Sequence, residues 1–324
     1  MCDFLYLSDT GLSEADALIA VQARLDAARA TTPALEDVRI DEVLRIVPGK
    51  RAVLAGHWQG RRAVFRLVPP SAAEAQAREW REATRIWPHM QGRRYRVPEP
   101  FLFLPGIGLM AGERVPGVPL LEHLWHAPVE TRAAYLPDAA TWLRRYTDVS
   151  ESWQPASPAG WLARAERAAQ TQPHARLQRI ESEILGHLRK ISEMLDGADW
   201  RVATCHGDFH PNNLILGPDR LTGIDLGGSA RLPVCKDIAR FLAHMGRRGL
   251  LPSGTRSFGV DAAGITAFVE TFFLTETERQ RTLPFFIGIE ALIRVENPGM
   301  PRARLRHAQM MHEALCADLS AASS

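Results

Sequence analysis

Asp208, Asn213 and Asp225 are the residues of this chain whose types and spacing fit one reaction. They lie in His206-Gly207-Asp208-Phe209-His210-Pro211-Asn212-Asn213-Leu214-Ile215-Leu216, followed after a short turn by Gly223-Ile224-Asp225-Leu226-Gly227. Phosphoryl transfer to a hydroxyl needs a carboxylate that orients the acceptor and takes its proton, and oxygen ligands that hold Mg²⁺ against nucleotide phosphates. Asp208 supplies the first; Asn213, five residues on, and Asp225 supply the second. Residues 214–216 and 221–224 are short apolar runs flanking Gly217-Pro218-Asp219, the pattern of a hairpin with a tight turn. Such a hairpin brings Asn213 and Asp225 to the same end of the ribbon, where one divalent ion could bridge them.

A rival chemistry occupies the same segment. His206, Asp208 and His210 alternate as H-x-D-x-H, and on a strand they would share one face as metal ligands of a hydrolase. Completing that shell needs a further Cys or His cluster. Cys205, Cys235, His187 and His244 show no recognised ligand spacing.

The segment resembles the signature of the aminoglycoside phosphotransferase and choline kinase superfamily: H-G-D-x-H-x-x-N, then I-D, then D-[LI]-A about a dozen residues later. The last element here is Asp237-Ile238-Ala239, twelve residues after Asp225. Gly207 stands where eukaryotic protein kinases usually carry Arg, which favours the small-molecule kinases, although Asp225-Leu226-Gly227 matches the protein-kinase D-F-G with Leu for Phe. The resemblance spans roughly residues 41–300 and is strongest over 204–242. It implies an α+β, protein-kinase-like two-lobed fold: a helical extension (1–40), a small antiparallel-sheet N-lobe (41–112) and a larger helical C-lobe (113–324). It also implies ATP and Mg²⁺ as cofactors, Asp208 as catalytic residue, Asn213 and Asp225 as metal ligands, and His206 and Asp237 as braces of the loop. His210 reads as a loop-stabilising histidine rather than a ligand.

The elements that must position these groups are legible upstream. Residues 13–30 carry apolar residues at helical spacing and end before Pro33, giving the added helix. Strand-like runs follow at 43–47, 51–57 and 63–68, separated by Pro48-Gly49-Lys50 and Gln59-Gly60. By resemblance the first turn is the flap over the phosphates, with Gly49 its single glycine; an ordinary hairpin reads the same way. Ser71-Ala72-Ala73-Glu74 has the spacing of a capping box ahead of a helix over 76–89. That helix stands where kinases carry the Glu that pairs with a strand-three Lys. Glu79 and Glu82 are both candidates, and either could instead be a solvated face. Ala63-Val64-Phe65-Arg66 puts Arg66 where the family has that Lys, a planar fork in place of a compact ammonium. Residues 101–104 and 109–111 form the next hairpin, leading into the Pro/Gly-rich stretch 112–120. This resembles the lobe linker that takes the adenine edge, which would place Ala111 and Glu113 against the nucleotide. Beyond it the chain reads as helical: 129–148, 160–171, 174–195, 234–245 and several segments over 260–319. Trp142-Leu143-Arg144-Arg145-Tyr146 departs from the family's frequent L-x-x-L-H.

Composition sets the outer bounds. With 324 residues the chain has room for two domain-sized units, and 46% hydrophobic with 23% charged residues is ordinary for a soluble globular protein. A net charge of +2 without a basic block or aromatic-basic interleaving argues against nucleic acid as partner. Lysine occurs only at Lys50, Lys190 and Lys236, so the positive charge is almost all arginine. No stretch approaches the ~18 uncharged apolar residues of a membrane span. The start has no basic region before its apolar residues, and a cytoplasmic location is expected.

The implied reaction is transfer of the γ-phosphoryl group of ATP to a hydroxyl of a small molecule, such as an amino-alcohol, an aminoglycoside or a sugar-like compound. A nucleotide-binding pseudokinase with a regulatory role is the alternative, and Arg66 supports it. Acceptor specificity is expected in 260–312 and 149–173. Glu290 interrupts the apolar run 285–293, so it either faces the acceptor or pairs with Arg294 at i+4 spacing. Glu270, Glu296 and Asp261 could likewise receive an amine, but Arg294, Arg302, Arg304 and Arg306 are interleaved among them.

Overall fold

Three consecutive apolar, β-branched-rich runs set off by turns build the first strands: β1 (Val38–Val47), β2 (Arg51–Trp58) and β3 (Arg61–Leu67). In a computed structural model that describes residues 14–47, 50–92 and 94–322, β2 buries Ala52 and Leu54 and β3 buries Ala63, Phe65 and Leu67. Gln59 (φ 50°) and Gly60 (φ 74°) close the β2–β3 hairpin in the left-handed region that tight antiparallel turns require. Helix α1 (Glu14–Arg29) sets Val21 and Leu25 into the same core with Leu35, Val38, Leu54 and Phe65.

After β3 comes α2 (Ala73–Ile86), and the expected capping box does not form. A 3₁₀ turn, Pro70–Ala72, leads directly into the helix, and Ala72 sits at the N-cap without a side-chain bond. The proline pair fixes the entry so that Ser71 is already inside a turn and cannot take the extended N-cap conformation. Strands β4 (Tyr95–Arg96), β5 (Pro100–Leu104) and β6 (Leu109–Glu113) follow, and the five-stranded antiparallel sheet runs β1-β2-β3-β6-β5. Phe65 stands opposite Ala111, and Arg66 opposite Met110.

The described chain divides into two compact units, one running to Pro116 and taking in Thr222–Gly227, the other formed by Gly117–Leu221 and the residues from Gly228 onward. The second begins with β7 (Val118–Pro119), α3 (Leu120–His126), α4 (Val129–Arg132) and α5 (Leu136–Thr147). Pro137, with no N–H to donate, separates α4 from α5 where one helix was expected. Then come β8 (Ser152–Pro155), α6 (Ala159–Ala169), α7 (Ala175–Leu195), β9 (Asp199–Cys205), β10 (Leu214–Leu216), β11 (Leu221–Gly223, shared with the first unit) and β12 (Ala230–Pro233). The chain finishes with α8 (Val234–Gly246), the short pair β13 (Arg256–Ser257) and β14 (Val260–Asp261), α9 (Ala262–Phe272), α10 (Leu283–Leu292) and α11 (Arg302–Ala322).

The expectation of an α+β chain, antiparallel strands first and helices after, holds. One feature of the helical part was not anticipated: β12, β9 and β8 form a three-stranded antiparallel sheet. Every residue of α8 and of α10 is buried, so these are the helices at the centre of the second unit. Charged residues on them, Lys236, Asp237, Arg240 and Glu290, must therefore find partners inside. Among the described residues no helix is long and apolar enough to cross a membrane.

A buried polar cluster ties α7 to α11. Glu181 accepts a hydrogen bond from Gln172 (2.7 Å) and lies 3.7 Å from His312, whose Nδ1 is 2.7 Å from the Ala308 carbonyl. Burial pushes the Glu181 carboxyl up to about 7 and the His312 imidazole down to about 4. Because the Glu181 value is raised on folding, its contribution to stability is full below an unfolded pKa of ~4.3 and is lost as pH rises through about 7. His312 runs the other way: its contribution is present above ~6.5 and is lost as pH falls through about 4. Glu181→Gln should thus gain on the parent between pH 4 and 8 by roughly 1–3 kcal/mol. Urea unfolding at a series of pH values checks this; a difference independent of pH would show that Glu181 keeps an ordinary pKa.

Candidate active site

The chain leaves β9 at Cys205 and turns sharply at Gly207, whose φ of +81° lies in the left-handed region. A Cβ on Gly207 would sit 1.9 Å from the carbonyl oxygen of Gly228, so both conformation and space demand glycine. The first turn of α8 then holds the Gly207 peptide groups: its N–H donates to Asp237 Oδ2 (3.0 Å), and Lys236 Nζ donates to its carbonyl. His206 is fully buried, its ring 6.0 Å from Trp142 and 6.1 Å from Phe209. Phe209 stacks on Trp142 (5.6 Å) and Phe241 (5.1 Å), and the Tyr146 hydroxyl meets Ser229 Oγ at 2.8 Å. The departure at residues 142–146 therefore supplies the aromatic bed of the loop.

Gly207→Ala would force the loop off this bed. We expect a loss of about 2 kcal/mol or more, visible as a lowered melting temperature, together with loss of any activity that depends on Asp208. A variant melting like the parent would show that the loop tolerates another path.

Asp208 projects from this fixed backbone. Its Oδ1 accepts from Arg240 Nε (2.8 Å) and Arg294 Nη2 (3.5 Å), and its Oδ2 lies 3.4 Å from His210 Nε2. Partial burial works to raise its pKa, but the His210 hydrogen bond and the Arg240 guanidinium outweigh it and hold the carboxyl well below the usual carboxylate range. His210 in turn stacks on His244, ring centroids 4.3 Å apart. The H-x-D-x-H reading does not survive this geometry: the segment is not a strand, and His206 lies among aromatics away from Asp208 and His210, which approach each other at 3.4 Å. Among the described residues no group of three His, Cys, Asp or Glu is arranged to hold a metal.

Asn213 ends the 3₁₀ turn Pro211–Asn213 and donates Nδ2 to the Asp208 carbonyl (3.0 Å). That bond fixes the amide so that its oxygen is the atom left for another ligand.

In the first unit Arg66 joins two carboxylates. Its Nη1 donates to Glu79 Oε2, and its Nη2 to Asp225 Oδ1 at 3.1 Å. Glu82, the other candidate on α2, instead takes Arg85 through two bonds of 2.7 Å. Burial pushes the Glu79 carboxyl up, Arg66 opposing and Asp225 reinforcing the shift. Asp225 has a φ of +62°, a left-handed conformation that Asp adopts more readily than most residues, and its carboxylate remains partly exposed. At Gly227 a Cβ would meet Glu79 Oε2 at 2.9 Å, so that glycine leaves room for the ion pair.

Gly49 lies outside the described residues. Ala111 is buried in β6, and the Glu113 carboxylate holds Arg96 and accepts from the Glu99 N–H (3.3 Å). The Glu113 N–H is already given to the Glu99 carbonyl at 2.9 Å, so of the Glu113 backbone only the carbonyl is a candidate for a bound base.

Glu290, wholly buried on α10, has Arg294 Nε at 3.6 Å, Lys236 Nζ at 3.8 Å and Arg240 Nε at 4.0 Å. The i+4 pair with Arg294 forms, as one member of a larger cluster. Of the other acidic candidates, Glu296 accepts from Arg247 Nε (2.9 Å) and Asp261 caps α9 through the Gly264 N–H (2.8 Å), while Glu270 is exposed on α9.

Arg240 and Arg294 were not anticipated at Asp208. The available signal was spacing: Lys236 and Arg240 are four apart on one face of α8, as are Glu290 and Arg294 at the end of α10.

The model of the phosphotransferase enzyme family matches residues 49–264. Among solved structures, the chain is similar to a putative aminoglycoside phosphotransferase from Ralstonia eutropha JMP134 (14% identity, 93% of this chain and 98% of that one, TM-score 0.58). It is also similar to an ethanolamine kinase from Plasmodium vivax (11% identity, 96% and 92%, TM-score 0.57). A third is the amicoumacin kinase hAmiN in complex with AMP-PNP, Ca²⁺ and Ami (12% identity, 92% and 95%, TM-score 0.51). At these identities the likeness concerns the fold, which is protein-kinase-like. Among curated protein sequences none matches the chain.

Proposed function

The chain belongs to the phosphotransferase enzyme family, and from that premise we propose that it moves the γ-phosphoryl group of ATP to a hydroxyl of a small molecule. The observation that carries this reading is Asp208: an ionised carboxylate on a loop whose backbone is fixed by Asp237, Lys236 and an aromatic bed. A carboxylate held this way orients an acceptor hydroxyl and takes its proton as the bond to phosphorus forms.

Asp225 and Asn213 offer the hard oxygen donors that Mg²⁺ prefers, the Asn213 amide oxygen being left for it by the bond to the Asp208 carbonyl. When bound, the ion neutralises phosphate charge. Arg66, kept in place by Glu79, is the cation for the nucleotide phosphates. Its pair with Glu79 stands where the family's Lys–Glu pair would, which favours an active enzyme over the pseudokinase. The AMP-PNP and Ca²⁺ bound by hAmiN support a nucleotide and a divalent cation here. Amino-alcohols, aminoglycosides and sugar-like compounds are the acceptor classes this reading admits.

Calorimetry with MgATP tests the assignment. Asp225→Ala and Asn213→Ala should lose Mg²⁺-dependent nucleotide binding. Unchanged Mg²⁺ dependence in Asp225→Ala would remove the central assignment.

A further inference from the structure

We propose that the acceptor carries an anionic group, a carboxylate or a phosphate ester, beside the hydroxyl it presents to Asp208. This rests on the phosphotransferase reading and names the substrate class of that site. The observation is a cavity of about 180 Å³ in the second unit, lined by Gly207 of the Asp208 loop, by Lys236, Glu290 and Arg294, and by Trp161 and Arg164 of α6. Leu232 and Ile293 add apolar wall.

The charges decide the sign. Three cations line the space against one carboxylate, and that carboxylate is fully buried with Lys236, Arg240 and Arg294 already within 4.0 Å. Glu290 makes no hydrogen bond, but the three cations around it offset its charge, so an ammonium entering the cavity would meet the net positive field of Arg164 and Arg294. Of the other acids expected to receive an amine, Glu296 and Asp261 are spent on Arg247 and on the α9 cap, and the exposed Glu270 does not line the cavity. By contrast, Arg164 is exposed and has no ion-pair partner among the described residues, and Arg294 is over a third exposed with its contacts to Asp208 and Glu290 at 3.5 and 3.6 Å, long for charged hydrogen bonds. Both forks are available to a carboxylate or phosphate, which they can hold in two-point fashion. Trp161, packed on Phe286 at 5.4 Å, gives a flat wall for the carbon skeleton.

A matched three-carbon series tests the charge preference on the full chain. Glycerol, glycerate, glycerol 3-phosphate and 2-amino-1,3-propanediol are titrated calorimetrically, and transfer from MgATP to each is read by ³¹P NMR. One of the two anions should bind at least about tenfold tighter than glycerol, the amine weakest, and the contrast between glycerate and glycerol 3-phosphate identifies which anion fits. Arg164→Gln should narrow the anion-to-glycerol preference severalfold, and added salt should narrow it in the parent. A preference for the amine, equal binding of all four, or no binding of either anion overturns the proposal. Transfer to the amine would do so while leaving phosphotransfer intact, whereas absence of MgATP binding in the parent would overturn the phosphotransferase reading itself.

Discussion

Asp208→Asn should bind MgATP like the parent and transfer phosphate roughly 10²–10⁴-fold more slowly. Asparagine keeps the shape and one acceptor oxygen, so Arg240 retains a partner at the position now 2.8 Å away, and the loop, fixed through Gly207 and Phe209, has no reason to move. What is lost is the negative charge and the ability to take a proton. Single-turnover transfer with calorimetric MgATP binding separates these effects. A variant that transfers at the parent rate would show that Asp208 does not accept the proton, whatever its binding. The pH profile adds a second constraint. A depressed carboxyl pKa means that Asp208 is ionised throughout the range above the usual carboxylate value, and its contribution to stability is lost only as pH falls through the lowered value. An acid limb near neutrality in kcat/KM would therefore have to arise from another group.

Such a site was legible in part, and the reasons are physical. The loop motif fixes residue identities at short range, because a left-handed Gly207 and a carboxylate one residue on are local requirements. Strands β1 to β3 were legible because short apolar runs set off by Pro- and Gly-containing turns are a local signal too. The sheet of β8, β9 and β12 was not: its strands come from residues 152, 199 and 230 onward and gain their identity only from one another. The choice between Glu79 and Glu82 had the same character, since both project from α2 about a turn apart, and only the register of β3 against that helix decides which meets Arg66. Arg240 and Arg294 at Asp208 depend on the packing of α8 and α10. Their spacing to Lys236 and Glu290 was visible, but a solvated helix face produces the same spacing. Burial of the whole of both helices is what turns it into a cluster.

That cluster sets the last expectation: Glu290→Gln should destabilise the protein by about 3 kcal/mol, more than nearly any exposed charge would. Lys236 and Arg240 are almost fully buried, and Glu290 is a carboxylate with two of its three cationic neighbours out of water. Glutamine preserves volume and removes the charge, leaving those cations with Asp208 and Asp237 as their remaining anions. The lysine should respond most, because it also donates to the Gly207 carbonyl, and a weakened hold there loosens the loop. A double-mutant cycle with Lys236→Met reads the pair directly: if Glu290 is the counter-ion, the two losses should be non-additive by on the order of 1 kcal/mol or more. The same substitution raises the positive field in the cavity lined by Arg164 and Arg294, so binding of an anionic hydroxyl compound should hold or tighten while stability falls. Stability within ~0.5 kcal/mol of the parent would mean that the buried carboxylate does no electrostatic work and that Asp208 and Asp237 alone balance the three cations.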